Sequence, residues 1–286
     1  MTVEFFKSKY RSARAWFLTL GLNSHGNFSL SPEEQKASSE ISVVVAVHNA
    51  PEVTRRCLDS LQKFAGGAEV IIVDDASTSD EVLQMLGDFR RRNNWRLMRN
   101  EKALGHSRAS EMGVAVSKKP YACVLNSDAI VTSKSWGGVV RAFESSPQMA
   151  VVGPSTSYTV GPQLVLRACH CRRYWTDEQI WRFAEKYVAR QKKQPLVDVP
   201  FVGGFAFFIR RSVWDALDGF DKNLPDYGNE LEFCQRVKRA GLQIAWTKES
   251  YIHHLGNESY GKAIGLDTIK KRSLDALAYT QKKHGN

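Results

Sequence analysis

Buried strands alternate with amphipathic helices along the first half of the chain, and this alternation limits the fold more than any other feature. Three short runs, Ile41–Val47, Val70–Val73 and Tyr121–Leu125, are almost wholly apolar, as strands buried on both faces are. Helical patterns, among them Glu52–Phe64 and Ser107–Ser117, separate these runs. The alternation predicts an α/β fold, with a mostly parallel sheet, right-handed crossovers and helices on both faces.

The second half of the chain has a mixed pattern. Strands are predicted at Ala150–Val152, Phe205–Ile209 and Gln243–Trp246, and helices at Asp177–Gln191 and Asn229–Ala240. At 286 residues the chain has room for one large domain or two small ones. No apolar run approaches the length of a membrane-spanning helix.

The first 22 residues show a helical pattern, with most of the basic residues off the apolar face. The apolar face consists of Phe6, Tyr10, Ala13, Phe17 and Leu20. One hypothesis is a helix that lies on an anionic membrane surface, and the other is a helix docked on the main domain. Five scattered cysteines suit a reducing compartment. We therefore predict a cytoplasmic protein, with peripheral contact to the inner face of the membrane under the first hypothesis.

The chain is basic, with a net charge of +10, and this favours acidic partners. Eight Lys and Arg residues against three acidic ones lie between Arg167 and Lys193. Charge alone does not separate an ordinary solvated surface from one that binds phosphates of nucleic acid, lipid or polysaccharide.

Polar side chains follow three of the predicted strands, at the point where each strand ends. They are His48-Asn49, Asp74-Asp75 and Asn126-Ser127-Asp128. In open α/β sheets, ligands bind beyond the carboxyl ends of the strands, so the three groups together predict a site. Carboxylate oxygens suit Mg²⁺ or Mn²⁺, and such an ion could offset the charge of a departing diphosphate. The site therefore fits sugar transfer from a nucleotide donor.

Other common sites lack their motifs. The first strand is not followed by Gly-x-Gly-x-x-Gly, and no Gly-Lys-Ser/Thr loop occurs. The Gly105–Ala109 segment resembles a hydrolase nucleophile elbow, but no strand runs directly into it. Dinucleotide-binding, P-loop and hydrolase functions are therefore disfavoured.

A series of sequence blocks, in order, resembles family 2 glycosyltransferases of the GT-A fold. The resemblance runs from about Ile41 to Ser259 and includes the segments Val43–Ala50, Arg56–Leu61, Ile71–Asp80, Asn100 with Leu104-Gly105, Leu125–Asp128, Val202–Phe205, Gly219–Asp221 and Glu230–Arg236. Asn126-Ser127-Asp128 stands where many relatives have Asp-x-Asp. Its Asn-x-Asp pattern resembles the metal motif of a rhamnosyltransferase-like branch of the family. The resemblance implies an inverting hexosyltransferase-type enzyme that uses a nucleoside-diphosphate sugar, with UDP or dTDP as the expected nucleotide.

The resemblance divides the chain into a GT-A domain and flanking segments. The implied segments are an N-terminal helix at 1–22, a linker at 23–40, the GT-A domain at 41–260 and a C-terminal helix at 261–286. Within the domain, 41–131 is the nucleotide-binding half and 150–260 the acceptor and catalytic half, which includes a smaller antiparallel portion.

The family pattern also implies roles for the strand-end residues. The implied nucleotide-binding residues are Ala46, His48, Asn49, Asp74, Asp75, Asn126 and Ser127. Asp128 is the implied metal ligand, and His254 is the second one, with Mn²⁺ or Mg²⁺ as the cofactor.

Two further blocks concern the donor sugar and the catalytic base. Gly203 and Gly204 would let the backbone approach the donor and acceptor sugars, although glycines in a strand also mark bulges. Glu230 stands at the base position of the family, and Glu232 is the reserve. A helix N-terminal charge would explain either glutamate without catalysis.

Two alternatives of other classes stay open at this point. One is a non-catalytic GT-A protein that binds nucleotide sugars, and the other is a basic nucleic-acid-binding or DNA-glycosylating protein. The acceptor is expected to be a glycan or lipid-linked glycan, because the basic Arg167–Lys193 stretch lies where the family varies its acceptor site. Cys169-His170-Cys171 falls in that stretch and is a weak zinc pattern.

Overall fold

The computed structural model describes residues 28–159, 161–165, 175–191, 195–256 and 265–285. The predicted helix at 1–22, the Cys169-His170-Cys171 cluster and five of the eight basic residues between Arg167 and Lys193 lie outside the described residues. The described elements up to residue 155 are, in chain order, α1 (Pro32–Ser38), β1 (Ile41–Val47), α2 (Pro51–Phe64), β2 (Glu69–Asp74), α3 (Asp80–Asn93), β3 (Arg96–Arg99), α4 (His106–Ala115), β4 (Tyr121–Asn126), β5 (Ala129–Ile130), α5 (Gly137–Glu144) and β6 (Met149–Ser155). Those that follow are α6 (Asp177–Ala189), β7 (Leu196–Asp198), β8 (Ala206–Arg210), α7 (Arg211–Ala216), α8 (Asn229–Arg239), β9 (Gln243–Tyr251), β10 (His253–His254) and α9 (Leu266–His284).

Within the described residues, eight strands form one mixed sheet in the order β3-β2-β1-β4-β8-β6-β9-β7. The four strands of the first half are parallel to one another. In the second half, β8 lies antiparallel between β4 and β6, and β7 is antiparallel to β9. The predicted α/β fold, with a mostly parallel sheet and a smaller antiparallel portion, is confirmed.

The central strand β1 shows why the sequence alternation sets this architecture. Val43, Val45 and Val47 pack into a core with α2 and α5 on one face of the sheet. Val44 and Ala46 point to the other face, into a core with α4 and α8. A strand covered on both faces needs apolar side chains at every position, which explains the unbroken apolar run.

The stretch that we predicted as a linker, residues 23–40, contains a helix. Ser31 caps α1, because its side chain accepts a hydrogen bond from the Glu34 amide. The Glu34 carboxylate in turn accepts hydrogen bonds of 2.9 Å from the amides of Trp136 and Gly137, at the start of α5. The polar residues of this stretch therefore cap two helices, α1 locally through Ser31 and α5 through Glu34, whose partners lie about 100 residues further along the chain.

A second, two-stranded sheet positions part of the site. β10 pairs antiparallel with β5, which places His254 opposite Ala129. The Leu255 amide also donates to the Asp128 carbonyl at 3.1 Å. This pairing brings a late segment of the chain to the end of β4. None of the helices formed by the described residues is both long and apolar enough to cross a membrane.

Candidate active site

A cavity of about 960 Å³ opens at the carboxyl ends of β1, β2 and β4. This is the edge where ligands bind in open α/β sheets. Most of the predicted site residues line it, namely Ala46, His48, Asp75, Asn126, Ser127, Asp128, Gly203, Gly204, Glu230 and His254. The cavity thus brings together strand-end residues of the first half and residues of the second half that the family resemblance implied.

Asp75 lines the cavity, but its carboxylate is engaged by the protein. Its oxygens accept hydrogen bonds from the Asn100 side chain at 2.7 Å and from the amides of Leu104 and Gly105 at 2.9 Å. His48 Nδ1 lies 2.7 Å from the Asp75 carbonyl oxygen. The carboxylate therefore fixes the loop that forms one wall of the cavity.

Two predicted nucleotide-binding residues, Asn49 and Asp74, are not among the residues that line the cavity. Asn49 Oδ1 accepts hydrogen bonds from the amides of Thr78 and Ser79, at 2.9 and 3.1 Å. Asp74 accepts a hydrogen bond from the Ser77 amide and forms an ion pair with Arg99. Both side chains hold the turn after β2, so their contribution to the site is to shape this turn.

Asp128 and His254 face each other at the cavity. His254 Nε2 lies 3.2 Å from Asp128 Oδ1, and the two side chains are 11% and 2% exposed respectively. The other ring nitrogen of His254, Nδ1, lies 2.8 Å from the Tyr158 carbonyl oxygen. The β5–β10 pairing fixes this arrangement, which presents one carboxylate and one imidazole at the same point.

This pair suits a divalent cation as part of a ligand set. Carboxylate oxygen and imidazole nitrogen are both ligands of Mn²⁺, and the carboxylate also suits Mg²⁺. The described part of the chain shows no group of three or more His, Cys, Asp or Glu side chains placed to hold a metal. Among the described residues, Asp128 and His254 are therefore two candidate ligands for such an ion.

The cavity is rich in carboxylates. Four acidic side chains line it (Asp75, Asp128, Asp226 and Glu230), whereas Lys270 is the basic residue among the lining side chains that the structure describes. A diphosphate group entering this cavity would meet mainly negative charge, which a bound cation would offset.

Gly203 and Gly204 lie where larger residues could not. A β-carbon on Gly204 would overlap the Glu230 carboxylate, and one on Gly203 would overlap the Thr159 hydroxyl. The Gly203 amide donates to Gln163 Oε1 at 2.6 Å. The absence of side chains here makes room for Glu230 as well as for a ligand.

Glu230 and Glu232 have opposite surroundings although both lie in the first turn of α8. Desolvation raises the pKa of Glu230 to about 7, and the backbone amide of Glu230 itself lowers it in part. Burial would also raise the pKa of Glu232, but hydrogen bonds from Arg236, Lys283 and His284 outweigh burial and hold this pKa below its usual range. Glu232 is fully buried in that ion-pair cluster and does not line the cavity. It fastens α9 to α8, and only Glu230 faces the site.

Sequence reasoning missed His106 and Asp226, which also line the cavity. Burial lowers the pKa of His106, and the carboxylates of Asp226, Asp128 and Asp75 offset part of that effect. The sequence disfavours Gly105–Ala109 as a nucleophile elbow and indicates no role for His106. The Ser107 hydroxyl is buried and donates to the Leu224 carbonyl at 2.6 Å, so it is a structural group.

A family model described as "Glycosyl transferase family 2" matches residues 42–217. The O-antigen biosynthesis protein RfbC of Myxococcus xanthus is 22% identical over 237 residues, which are 77% of this chain and 18% of RfbC.

The structure of GalNAc-T7 with UDP, GalNAc and Mn²⁺ has a TM-score of 0.59 and 17% identity, over 75% of this chain and 42% of that one. The mannosyltransferase PcManGT of Pyrobaculum calidifontis, in complex with GDP-Man and Mn²⁺, has a TM-score of 0.54 and 13% identity, over 98% of this chain and 80% of that one. These likenesses confirm the GT-A fold. The chain spans less than half the length of RfbC and of GalNAc-T7.

Proposed function

The chain belongs to glycosyl transferase family 2, and on that basis we propose that it is a glycosyltransferase that moves a sugar from a nucleoside-diphosphate donor to an acceptor hydroxyl with inversion. One observation carries the proposal. The Glu230 carboxylate, with its pKa raised to about 7, faces the same cavity as the Asp128–His254 pair. A base and a cation-binding pair in one cavity are the two parts that such a transfer needs.

The nucleotide would occupy the strand-end wall of the cavity. Ala46 and His48 lie at the carboxyl end of β1, and Asn126 and Ser127 at that of β4, so all four can contact base and ribose. Asp75 would act mainly through the backbone around it, because its carboxylate already accepts hydrogen bonds from the loop at 100–105.

Asp128 and His254 would hold Mn²⁺ or Mg²⁺. The carboxylate-rich lining supports a divalent ion, since it would repel a diphosphate on its own. The Mn²⁺ in the GalNAc-T7 and PcManGT structures supports the same cofactor class. Such an ion would offset the charge on the diphosphate as the nucleotide leaves.

Glu230 would be the general base. The acceptor oxygen forms a bond to the anomeric carbon, the bond from that carbon to the diphosphate oxygen breaks, and Glu230 takes the acceptor proton. A base works best when its pKa lies near the working pH, and a pKa of about 7 meets this condition. This placement favours an enzyme over the non-catalytic alternative. Gly203 and Gly204, beside Glu230, would lie next to the reacting sugar and the acceptor.

We propose UDP or dTDP as the donor nucleotide and a glycan or lipid-linked glycan as the acceptor. The GalNAc-T7 structure contains UDP, and the PcManGT structure contains GDP-Man. The name of RfbC indicates polysaccharide biosynthesis. Cys57, Cys123 and Cys234 are free and buried, which supports a cytoplasmic protein. The acidic lining disfavours nucleic acid as a ligand of this cavity.

Calorimetric titration tests the proposal. Wild-type protein would be titrated with UDP, dTDP and GDP, with and without Mn²⁺, beside Asp128→Ala. We expect one nucleotide to bind in a metal-dependent way and the variant to lose this binding. A folded wild-type protein that binds none of the three contradicts the proposal.

A further inference from the structure

Two segments that line the cavity are held together by hydrogen bonds. The Ser107 amide donates to the Pro225 carbonyl at 2.8 Å, and the Ser107 hydroxyl donates to the Leu224 carbonyl at 2.6 Å. The Asn229 side-chain amide completes the set, since its nitrogen donates to the Ser107 hydroxyl at 2.7 Å. The start of α4 is thus fastened to the loop before α8, so side chains on these segments have fixed relative positions.

His106 and Asp226 lie on these two segments, and both line the cavity. Each carries a buried polar atom, His106 Nε2 and Asp226 Oδ1, that has no hydrogen-bond partner among the residues the structure describes. The other oxygen of Asp226 is paired with Arg272, and the Asp226 side chain is 11% exposed. An unsatisfied polar atom at a buried position costs free energy, so a ligand that satisfies both atoms would be favoured.

Gly105 explains how the two side chains come close. Its φ of +88° is open mainly to glycine. A β-carbon at this position would lie 3.0 Å from Asp226 Oδ1 and 3.0 Å from the Pro225 carbonyl oxygen. The glycine therefore lets the loop with Asp226 approach the residue just before His106.

We propose that His106 and Asp226 form a subsite for hydroxyl groups of the transferred sugar. A sugar hydroxyl can donate to the acceptor-only carboxylate of Asp226, and a neighbouring hydroxyl can bond His106 Nε2 in either direction. The inference rests on the proposed function, because it assigns part of the same cavity to the donor sugar.

The surroundings favour a sugar over other ligands. The Asp226 carboxylate accepts hydrogen bonds only, and burial lowers the pKa of the His106 imidazole, so neither side chain presents a positive charge to a diphosphate. His106 also interacts with the side chain of Asn126, two residues before the proposed metal ligand Asp128. A sugar linked to a diphosphate at Asp128 would lie in the cavity that His106 and Asp226 also line.

The test compares each nucleotide sugar with its own free nucleotide. Wild type, His106→Ala and Asp226→Ala would be titrated in Mn²⁺ with UDP and UDP-GlcNAc, UDP and UDP-glucose, and GDP and GDP-Man. Hydrolysis of the sugar nucleotide would give kcat/KM. Arg91→Gln is the control, because it breaks an exposed ion pair with Asp88 on α3, and neither residue lines the cavity.

We expect both alanine variants to bind the free nucleotide as wild type does. In affinity for the sugar nucleotide or in kcat/KM, Asp226→Ala should lose roughly 10- to 100-fold, the scale of a hydrogen bond to a charged group, and His106→Ala roughly 10-fold, the scale of one to a neutral group. Arg91→Gln should keep the wild-type ratio of the two affinities. Thermal unfolding confirms that each variant is folded.

Two results overturn the subsite. Folded variants that bind and hydrolyse the sugar nucleotide like wild type show that the pair does not contact it. Variants that lose the free nucleotide and the sugar nucleotide equally show that the pair contacts the nucleotide. If wild type itself binds no nucleotide, the proposed function fails. The wild-type titration alone shows this outcome, so it is distinct from a failure of the subsite.

Discussion

The carboxylate of Glu230 rests against the α-carbon of Gly204, in the space that a β-carbon at position 204 would fill. A β-carbon there would also lie 2.9 Å from Glu230 Cγ, so a rotation of the carboxylate alone would not relieve the overlap. The glycine therefore determines where the proposed base lies.

We expect Gly204→Ala to lower kcat by roughly 10²-fold or more, because it displaces a positioned base. Binding of the free nucleotide should be unchanged, and titration beside steady-state kinetics would separate the two effects. Gly87→Ala is a suitable control, since its β-carbon would meet only the flexible end of Arg91 at 3.3 Å. Equal kcat for Gly204→Ala and wild type would show that the base lies elsewhere.

Glu230 should impose a pH dependence on transfer. Because its pKa is raised to about 7, the carboxylate is protonated at pH 6 and cannot accept a proton. We expect kcat/KM to rise between pH 6 and 8 and then to level off. Glu230→Gln should lose roughly 10²- to 10⁴-fold in activity and this pH step together. A pH profile unchanged in the variant would count against the assignment.

The same residue should lower stability at high pH. A raised carboxyl pKa means that the folded state binds the proton more tightly than the unfolded state, so this stabilisation is complete below pH 4.5 and is lost as pH rises to about 7. We expect Glu230→Gln to melt above wild type at pH 8, with the difference shrinking towards pH 5. Thermal unfolding at both pH values measures this.

Glu232→Gln should behave in the opposite way. Its lowered pKa contributes stability above the unfolded value, which is lost as pH falls through the folded pKa. The variant should therefore melt below wild type at pH 7, by an amount that diminishes below pH 4.5. Folded Glu232→Gln should keep its pH step near 7, because Glu230 is intact. Loss of that step would return Glu232 to the list of candidate bases.

Removal of the proposed metal ligands can be ranked. Asp128→Ala takes away the carboxylate ligand and should abolish Mn²⁺-dependent nucleotide binding, whereas His254→Ala removes the imidazole ligand and should weaken it. Titration with the nucleotide at several Mn²⁺ concentrations distinguishes the two variants. Wild-type metal dependence in Asp128→Ala would rule out this pair as the cation site.

Much of the nucleotide side of the site could be predicted from the sequence, because parallel strands end at one edge of the sheet. That rule placed His48, Asp75 and Asp128 at the cavity without any tertiary information. The rule could not show that Asp74 Oδ1 and Asn49 Oδ1 accept hydrogen bonds from amides of the turn after β2, because these amides come into position only when the loop is folded.

The choice between Glu230 and Glu232 also depended on distant residues. Both glutamates follow a glycine at the start of a predicted helix, so the local pattern treats them alike. Lys283 and His284, some 50 residues further along the chain, contact the Glu232 carboxylate, and these contacts distinguish Glu232 from Glu230. His106 was missed for the same reason, because the loop that contains Asp226 reaches it only in the folded protein.

The position of β8 has a consequence for how the chain folds. It pairs along β4 from Leu125 to Tyr121, although more than 75 residues separate the two strands in sequence. Until β8 is in place, β4 presents an unpaired apolar edge, which is a template for aggregation. The pairing of distant strands also slows folding, because a long loop must close first. A fragment of residues 41–131 should therefore self-associate on its own, and adding the segment that contains β8 in trans should suppress this.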